Sequence, residues 1–145
     1  MNENFDSLKL ENQLCFPLYA ASREIIKQYK PFLDELDLTY TQYIAMMLLW
    51  EKTTLTVKEM GSLLHLDSGT LTPLLKKLEA KGFLTRARST ADERHLNVTI
   101  TDKGRQLKKK AVNVPAQMAQ CTRLTPEEAV TLYRILYKLL EQTSE

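Results

Sequence analysis

Between Leu55 and Gly104 two short helical segments, the turn that joins them and a basic two-stranded hairpin follow one another almost without spare residues, and few folds accommodate that order. Thr56-Val57-Lys58-Glu59 has capping-box spacing, in which hydroxyl and carboxylate reciprocally satisfy the first free amides of a helix running to Leu64. A turn follows at Leu66 and Asp67. Asp67 or Ser68 can cap the next helix, whose Leu71, Leu74, Leu75 and Leu78 recur at helical spacing and would hold it to a core. Pro73 has no amide to donate, which places the start of regular helix near Gly69 or Thr70, and Gly82 supplies its stop. Residues 83–88 and 96–101 then read as strands, because Leu96, Val98 and Ile100 alternate with polar residues, and residues 89–95 form the loop. The expected fold is mainly α with a small β-hairpin wing, a winged helix-turn-helix.

Each part has a physical use on duplex DNA. The second helix can enter the major groove, presenting the hydroxyls of Ser68, Thr70 and Thr72 near its start to base edges or phosphates, with Lys76 and Lys77 further along to neutralise phosphates. The wing arginines, Arg86, Arg88 and Arg94, can reach sideways to backbone or minor groove. Asp92 and Arg94 sit two apart, so the carboxylate can hold the guanidinium extended; taken alone, the pair reads equally well as an incidental salt bridge on a solvated hairpin. Charge supports the DNA reading. The whole chain is only +2, yet residues 67–110 hold 11 Lys and Arg against 5 Asp and Glu, a net of +6, leaving the other 101 residues at −4. Basic charge gathered on the motif is the footprint of a duplex binder whose affinity falls steeply with salt.

The length of 145 residues suits a single domain over residues 1–145, with the winged unit at about 55–104 and helices at about 9–36 and 103–145. Leu14, Leu18, Ile25, Ile26, Tyr29, Leu33 and Leu36 mark a first amphipathic helix, in which Pro17 and Pro31 predict a kink or a late start. Residues 40–50 make a short apolar second one. After the wing, residues 103–120 read as a helix interrupted at Pro115, and Thr125-Pro126-Glu127-Glu128 opens a last helix bearing Ala129, Leu132, Tyr133, Leu136, Leu139 and Leu140 on one side. Those terminal helices are apolar enough to pair with another chain. A homodimer would set two reading helices in successive major grooves of a pseudo-palindromic operator, about 10 base pairs apart. No apolar run approaches a membrane span, and the polar amino terminus lacks the pattern of a secretory signal, so a cytoplasmic protein is expected. In that compartment Cys15 and Cys121 are expected as buried free thiols or as redox groups.

The stretch TLTPLLKKLEAKGFL followed by RSTADERHLNVTITDKG resembles the MarR-type winged-helix repressors of bacteria, and LENQLCFPLYAASREIIKQYKPFLDELDLTYTQY resembles the amino-terminal signature of their organic hydroperoxide resistance (OhrR) subfamily. The resemblance implies a dimeric repressor, without cofactor, that leaves its operator when an organic hydroperoxide oxidises a cysteine. By position it makes Cys15 the peroxide-reactive residue, Tyr29 and Tyr40 hydroxyl donors to its sulfur, and Tyr19 a neighbour one turn away. Cys121 matches the second cysteine of those members that form a disulfide between subunits, which requires the two α carbons to approach within ~7 Å. Such a cluster has a chemical reason. A thiol of ordinary acidity is only ~3% thiolate at neutral pH, and the thiolate attacks the peroxide. A hydrogen bond to a charged group is worth ~1.5 to 3 kcal/mol, so one or two phenols suffice to favour the anion. If Asn12 caps the first helix, Cys15 also lies in its first turn, where the macrodipole favours an anion.

Three rivals make different demands. A thiol peroxidase of the peroxiredoxin pattern needs proline and threonine seven and three residues before its cysteine, where this chain has Leu8 and Asn12, or Val114 and Met118. A repressor relieved by a small phenolic ligand would keep the DNA residues and leave Cys15 structural. A protein-contact module would tolerate loss of Arg94. His65 and His95 lack companion ligands at metal spacing, so no metal is expected.

Overall fold

The computed structural model describes residues 3–92 and 94–142, so Glu93 in the expected wing loop and residues 143–145 at the end of the expected last helix lie outside it. The chain forms two units, residues 1–114 and 115–145.

In the first unit, two 3-10 turns (Asp6–Leu8 and Leu10–Asn12) lead into α1 (Cys15–Asp34). Asn12 does not cap this helix: its side-chain amide donates to the Asp6 carbonyl at 2.7 Å, and Leu14 stands at the cap without a side-chain bond. Neither proline breaks it. Pro17 is the third helical residue, where an amide would have no partner within the helix, and Pro31 lies in the last turns of a helix that continues to Asp34. The start is late, as expected, and the rod beyond it is continuous.

α2 (Tyr40–Lys52) opens on a capping box the sequence reading passed over, with the Gln42 amide donating to Thr39 Oγ1 at 3.3 Å and the Thr39 amide to Gln42 Oε1 at 3.1 Å. The expected Thr56 box opens α3 (Val57–Leu64), with Glu59 N–H to Thr56 Oγ1 at 3.1 Å and Thr56 N–H to Glu59 Oε2 at 2.9 Å. Asp67 caps α4 (Ser68–Ala80) by accepting from the Thr70 amide at 2.7 Å. This helix starts one or two residues earlier than expected, and Pro73 sits in its second turn. The capped amide at Thr70 and the four buried leucines outweigh the bond that Pro73 cannot make to Gly69.

Three helices end alike. α1, α3 and α4 each close with paired amides turned back onto the last turn: Leu38 to Leu33 and Asp37 to Asp34, Leu66 to Gly61 and His65 to Ser62, Phe83 to Leu78 and Gly82 to Glu79. The residue that turns left-handed is Asp37, His65 and Gly82 respectively, with φ of 55°, 54° and 82°.

The wing strands are β2 (Leu84–Arg88) and β3 (Leu96–Ile100), each one residue shorter than expected, and they pair antiparallel from Leu84↔Ile100 to Arg88↔Leu96. A third strand, β1 (Thr54–Thr56), pairs with the other edge of β3 in the order β1-β3-β2. Leu33, Met46, Leu49, Met60, Leu71, Leu75, Leu78, Leu84 and Val98 fill the core beneath this sheet and its helices. α5 (Asp102–Ala111) joins it through Leu107, and the Trp50 indole donates to the Gly104 carbonyl at 2.9 Å.

The expected helical break near Pro115 comes at residues 112–113, and Pro115 becomes the second residue of α6 (Val114–Cys121). In the second unit, α7 (Pro126–Gln142) opens on the expected Thr125 box, with Glu128 N–H to Thr125 Oγ1 at 3.2 Å and Thr125 N–H to Glu128 Oε2 at 2.8 Å. Much of the apolar surface of α1 and α7 is uncovered: Leu18, Ile25 and Ile26 of α1 and Leu132, Tyr133 and Leu139 of α7 are exposed, as is Leu14 just before α1. No helix among the described residues is long and apolar enough to cross a membrane.

Candidate nucleic-acid interface and sensor cysteines

The polar face of α4 carries Ser68, Thr70, Lys76 and Lys77 exposed and Thr72 half-buried, opposite the buried Leu71, Leu74, Leu75 and Leu78. One helix therefore separates a face held by the core from a face that can meet a groove. At the wing tip, Asp92 Oδ1 accepts from the Arg94 amide at 3.0 Å and from its Nε at 3.2 Å, while Oδ2 accepts from the second guanidinium nitrogen at 3.3 Å. The Asp92 amide donates to the Ser89 hydroxyl oxygen at 3.4 Å, and His95 Nε2 lies 3.3 Å from Oδ2. The backbone and side-chain donors of Arg94, with His95 beside them, hold the Asp92 carboxyl below the ordinary carboxylate range. It stays ionised and keeps its grip, although the Arg94 side chain is 90% exposed. The carboxylate engages one edge of the guanidinium while the side chain as a whole stays exposed.

Arg86 is different. Its amide donates to Glu79 Oε2 at 2.9 Å and its guanidinium to Glu79 Oε1 at 3.1 Å, with only 18% of the side chain exposed. This pair ties β2 to α4 through a side chain that was expected at the DNA surface, the carboxylate standing seven residues back in the chain. Arg86→Met is therefore expected to lower the melting temperature while leaving the salt dependence of DNA binding unchanged; a salt slope reduced by about one per protomer would return Arg86 to the interface. Arg88 ends β2 with its side chain exposed.

Cys15 is the first residue of α1 and is exposed. Tyr19 lies one turn on, its hydroxyl accepting from Arg23 at 2.6 Å with the guanidinium also over its ring, so its own proton is available to donate. Arg23 extends the Cys15–Tyr19 line by four more residues, a spacing visible in the sequence and missed there. Tyr29 and Tyr40 do not reach the Cys15 of their own chain. Fourteen residues of unbroken helix separate Cys15 from Tyr29, about 21 Å at the helical rise, and Tyr40 packs on Tyr29 with ring centroids 5.0 Å apart. Tyr43 joins them at 5.9 Å from Tyr29. Burial pushes all three phenols above their ordinary value, with mutual charge adding at Tyr29 and Tyr43, so they remain neutral donors across the physiological range. Cys121, in the second unit, is exposed, its thiol donating to the Gln117 carbonyl at 3.4 Å.

A family model described as transcriptional regulator SarA/Rot matches residues 27–111. The organic hydroperoxide resistance transcriptional regulator of Bacillus subtilis strain 168 is 54% identical over 141 residues, 97% of this chain and 96% of that protein. Reduced AbfR bound to DNA aligns with a TM-score of 0.78 at 34% identity, over 97% of this chain and 98% of that one. Disulfide-formed AbfR aligns with a TM-score of 0.67 at 34% identity, over 97% and 96%; AbfR is a protein of Staphylococcus epidermidis.

Proposed function

This chain belongs to the MarR family of winged-helix transcriptional regulators, and from that premise we propose that it is a cytoplasmic redox-sensing repressor, bound to operator DNA as a reduced homodimer and released by organic hydroperoxides. The observation that carries the sensor half is the exposed Cys15 thiol at the head of a helix whose apolar face is uncovered. Two copies of α1 packed antiparallel about Ser22 would set Cys15 of one opposite Tyr29 of the other, since Ser22 is midway between them and Ala20 and Ala21 let the backbones approach. The dimer thus supplies the phenols that one chain cannot. Tyr29 and Tyr40 of the second copy then donate to the Cys15 thiolate.

The chemistry balances without a cofactor. The thiolate attacks the terminal oxygen of R–O–O–H, the O–O bond breaks, and the alkoxide leaves as an alcohol once protonated, while Cys15 becomes a sulfenic acid. The Cys121 thiolate of the other subunit attacks that sulfur, hydroxide leaves as water, and a disulfide forms. The reader is α4 with Ser68, Thr70, Thr72, Lys76 and Lys77, joined by Asp92-held Arg94 and by Arg88.

The test is a binding titration on operator DNA of wild type, Cys15→Ser and Cys121→Ser, with and without alkyl hydroperoxide, followed by dithiothreitol. Wild type is expected to release DNA at least tenfold and to recover on reduction, and Cys15→Ser to stay bound. Release of Cys15→Ser as readily as wild type sinks the sensor assignment. A full response of Cys121→Ser without small thiols removes Cys121 from the switch.

A further inference from the structure

Lys81 is the residue on which α4 ends, and its ammonium grips the corner between α1 and α2. Nζ donates to the backbone carbonyl of Asp37 and, at 3.3 Å, to Gln42 Oε1, and it lies 3.6 Å from Asp37 Oδ2. The side chain is only 28% exposed. Both acceptors hold structural posts. Asp37 is the left-handed residue that closes α1, so its carbonyl sits at the negative end of that helix. Gln42, 4% exposed, is the third residue of α2, and the oxygen that takes the Lys81 proton also takes the Thr39 amide of the capping box. The backbone of Lys81 is held as well, its carbonyl accepting from Lys103 Nζ at 2.7 Å.

The corner that Lys81 grips also holds the tyrosines. Tyr40 is the first residue of α2, two before Gln42, and its ring packs on Tyr29 of α1. A shift of α1 against α2 therefore moves the Asp37 carbonyl and Gln42 Oε1 together or apart, and the group that follows both is the end of α4. Arg86 and Glu79 in turn fasten that same end of α4 to the wing. We propose that Lys81 is a positioning residue that couples the tyrosine-bearing corner to the DNA-reading helix, so that oxidation at Cys15 is felt as displacement of α4. This rests on the sensor reading above. The element that both sites bias is the α1–α2 corner.

The test compares wild type, Lys81→Met, Lys81→Gln and Lys81→Arg for operator Kd reduced, operator Kd after alkyl hydroperoxide, and the rate of Cys15 oxidation by thiol mass spectrometry. Methionine keeps an apolar stem and removes the ammonium; glutamine does so should methionine prove unstable. The ratio of oxidised to reduced Kd is expected to fall at least fivefold in the neutral variants, Cys15 oxidation to stay within twofold of wild type, and arginine to restore most of the ratio. A ratio within twofold of wild type in a folded neutral variant overturns the proposal. So does equal weakening in both redox states, which would make Lys81 a structural prop. A wild-type protein that keeps its DNA after Cys15 is oxidised fails the sensor reading itself, and the coupling falls with it.

Discussion

Arg94→Ala is expected to weaken operator binding at least tenfold and to lower the slope of log affinity against log salt by about 2 per dimer. A charge-assisted hydrogen bond is worth ~1.5 to 3 kcal/mol, and tenfold in affinity is ~1.4 kcal/mol. Each protomer loses one cation, and each neutralised phosphate contributes about 0.9 to the slope. Arg94 carries this effect because it combines 90% exposure of the side chain with a carboxylate fixing one edge of its guanidinium. Asp92→Ala leaves the charge but frees the rotamers, so its expected cost is smaller, about three- to tenfold, with the salt slope kept. Fluorescence anisotropy on labelled operator over a salt series reads both quantities. An Arg94→Ala affinity within twofold of wild type would leave the wing as a solvated hairpin.

Gly104→Ala should be the most damaging single methyl in the first unit. A Cβ there would lie 2.3 Å from the Phe83 carbonyl oxygen and 2.8 Å from Ile100 Cγ1. The carbonyl cannot retreat, because it accepts the Thr101 amide at 3.1 Å, and the Gly104 amide and carbonyl are themselves held by Thr101 Oγ1 and the Trp50 indole. Overpacking a filled core costs about 1 to 3 kcal/mol, and a backbone obstacle puts this site at the upper end. For a chain of this size that corresponds to a fall in Tm of roughly 6 to 12 °C. Melting is compared at one protein concentration, since dimerisation makes Tm depend on it. Because Trp50 bonds to Gly104, its fluorescence reports the local packing independently. A Tm within 2 °C of wild type would mean that β2 and α5 part more readily than their bonds suggest.

The signals that were legible act over a few residues. Thr56 and Glu59, Asp67 and Thr70, and Thr125 and Glu128 meet within one turn, so caps could be read without knowing the rest of the molecule. Thr39 and Gln42 obey the same rule and were equally readable. The leucine stripe from Leu71 to Leu78 and the alternation from Leu96 to Ile100 carry their own periods. The helix starts a residue or two before the point that Pro73 alone would set, because the Asp67 cap on the Thr70 amide and the buried leucines outweigh the local penalty. The three-residue β1 has no period long enough to detect; it exists because β3 offers it an edge.

The order of parts from Leu55 to Gly104 and the faces of its helices were therefore determined by sequence alone. Partnerships were decided by the tertiary structure. Glu79 holds Arg86 to α4, Lys81 reaches 44 residues back to Asp37, and a continuous α1 sets Tyr29 about 21 Å from the Cys15 of its own chain. Such pairs are set by where the chain returns to itself, and a side chain's charge or length does not encode which return brings it a partner. Local bonding writes a pattern into neighbouring residues, whereas a contact across the fold leaves none until the core has placed both ends.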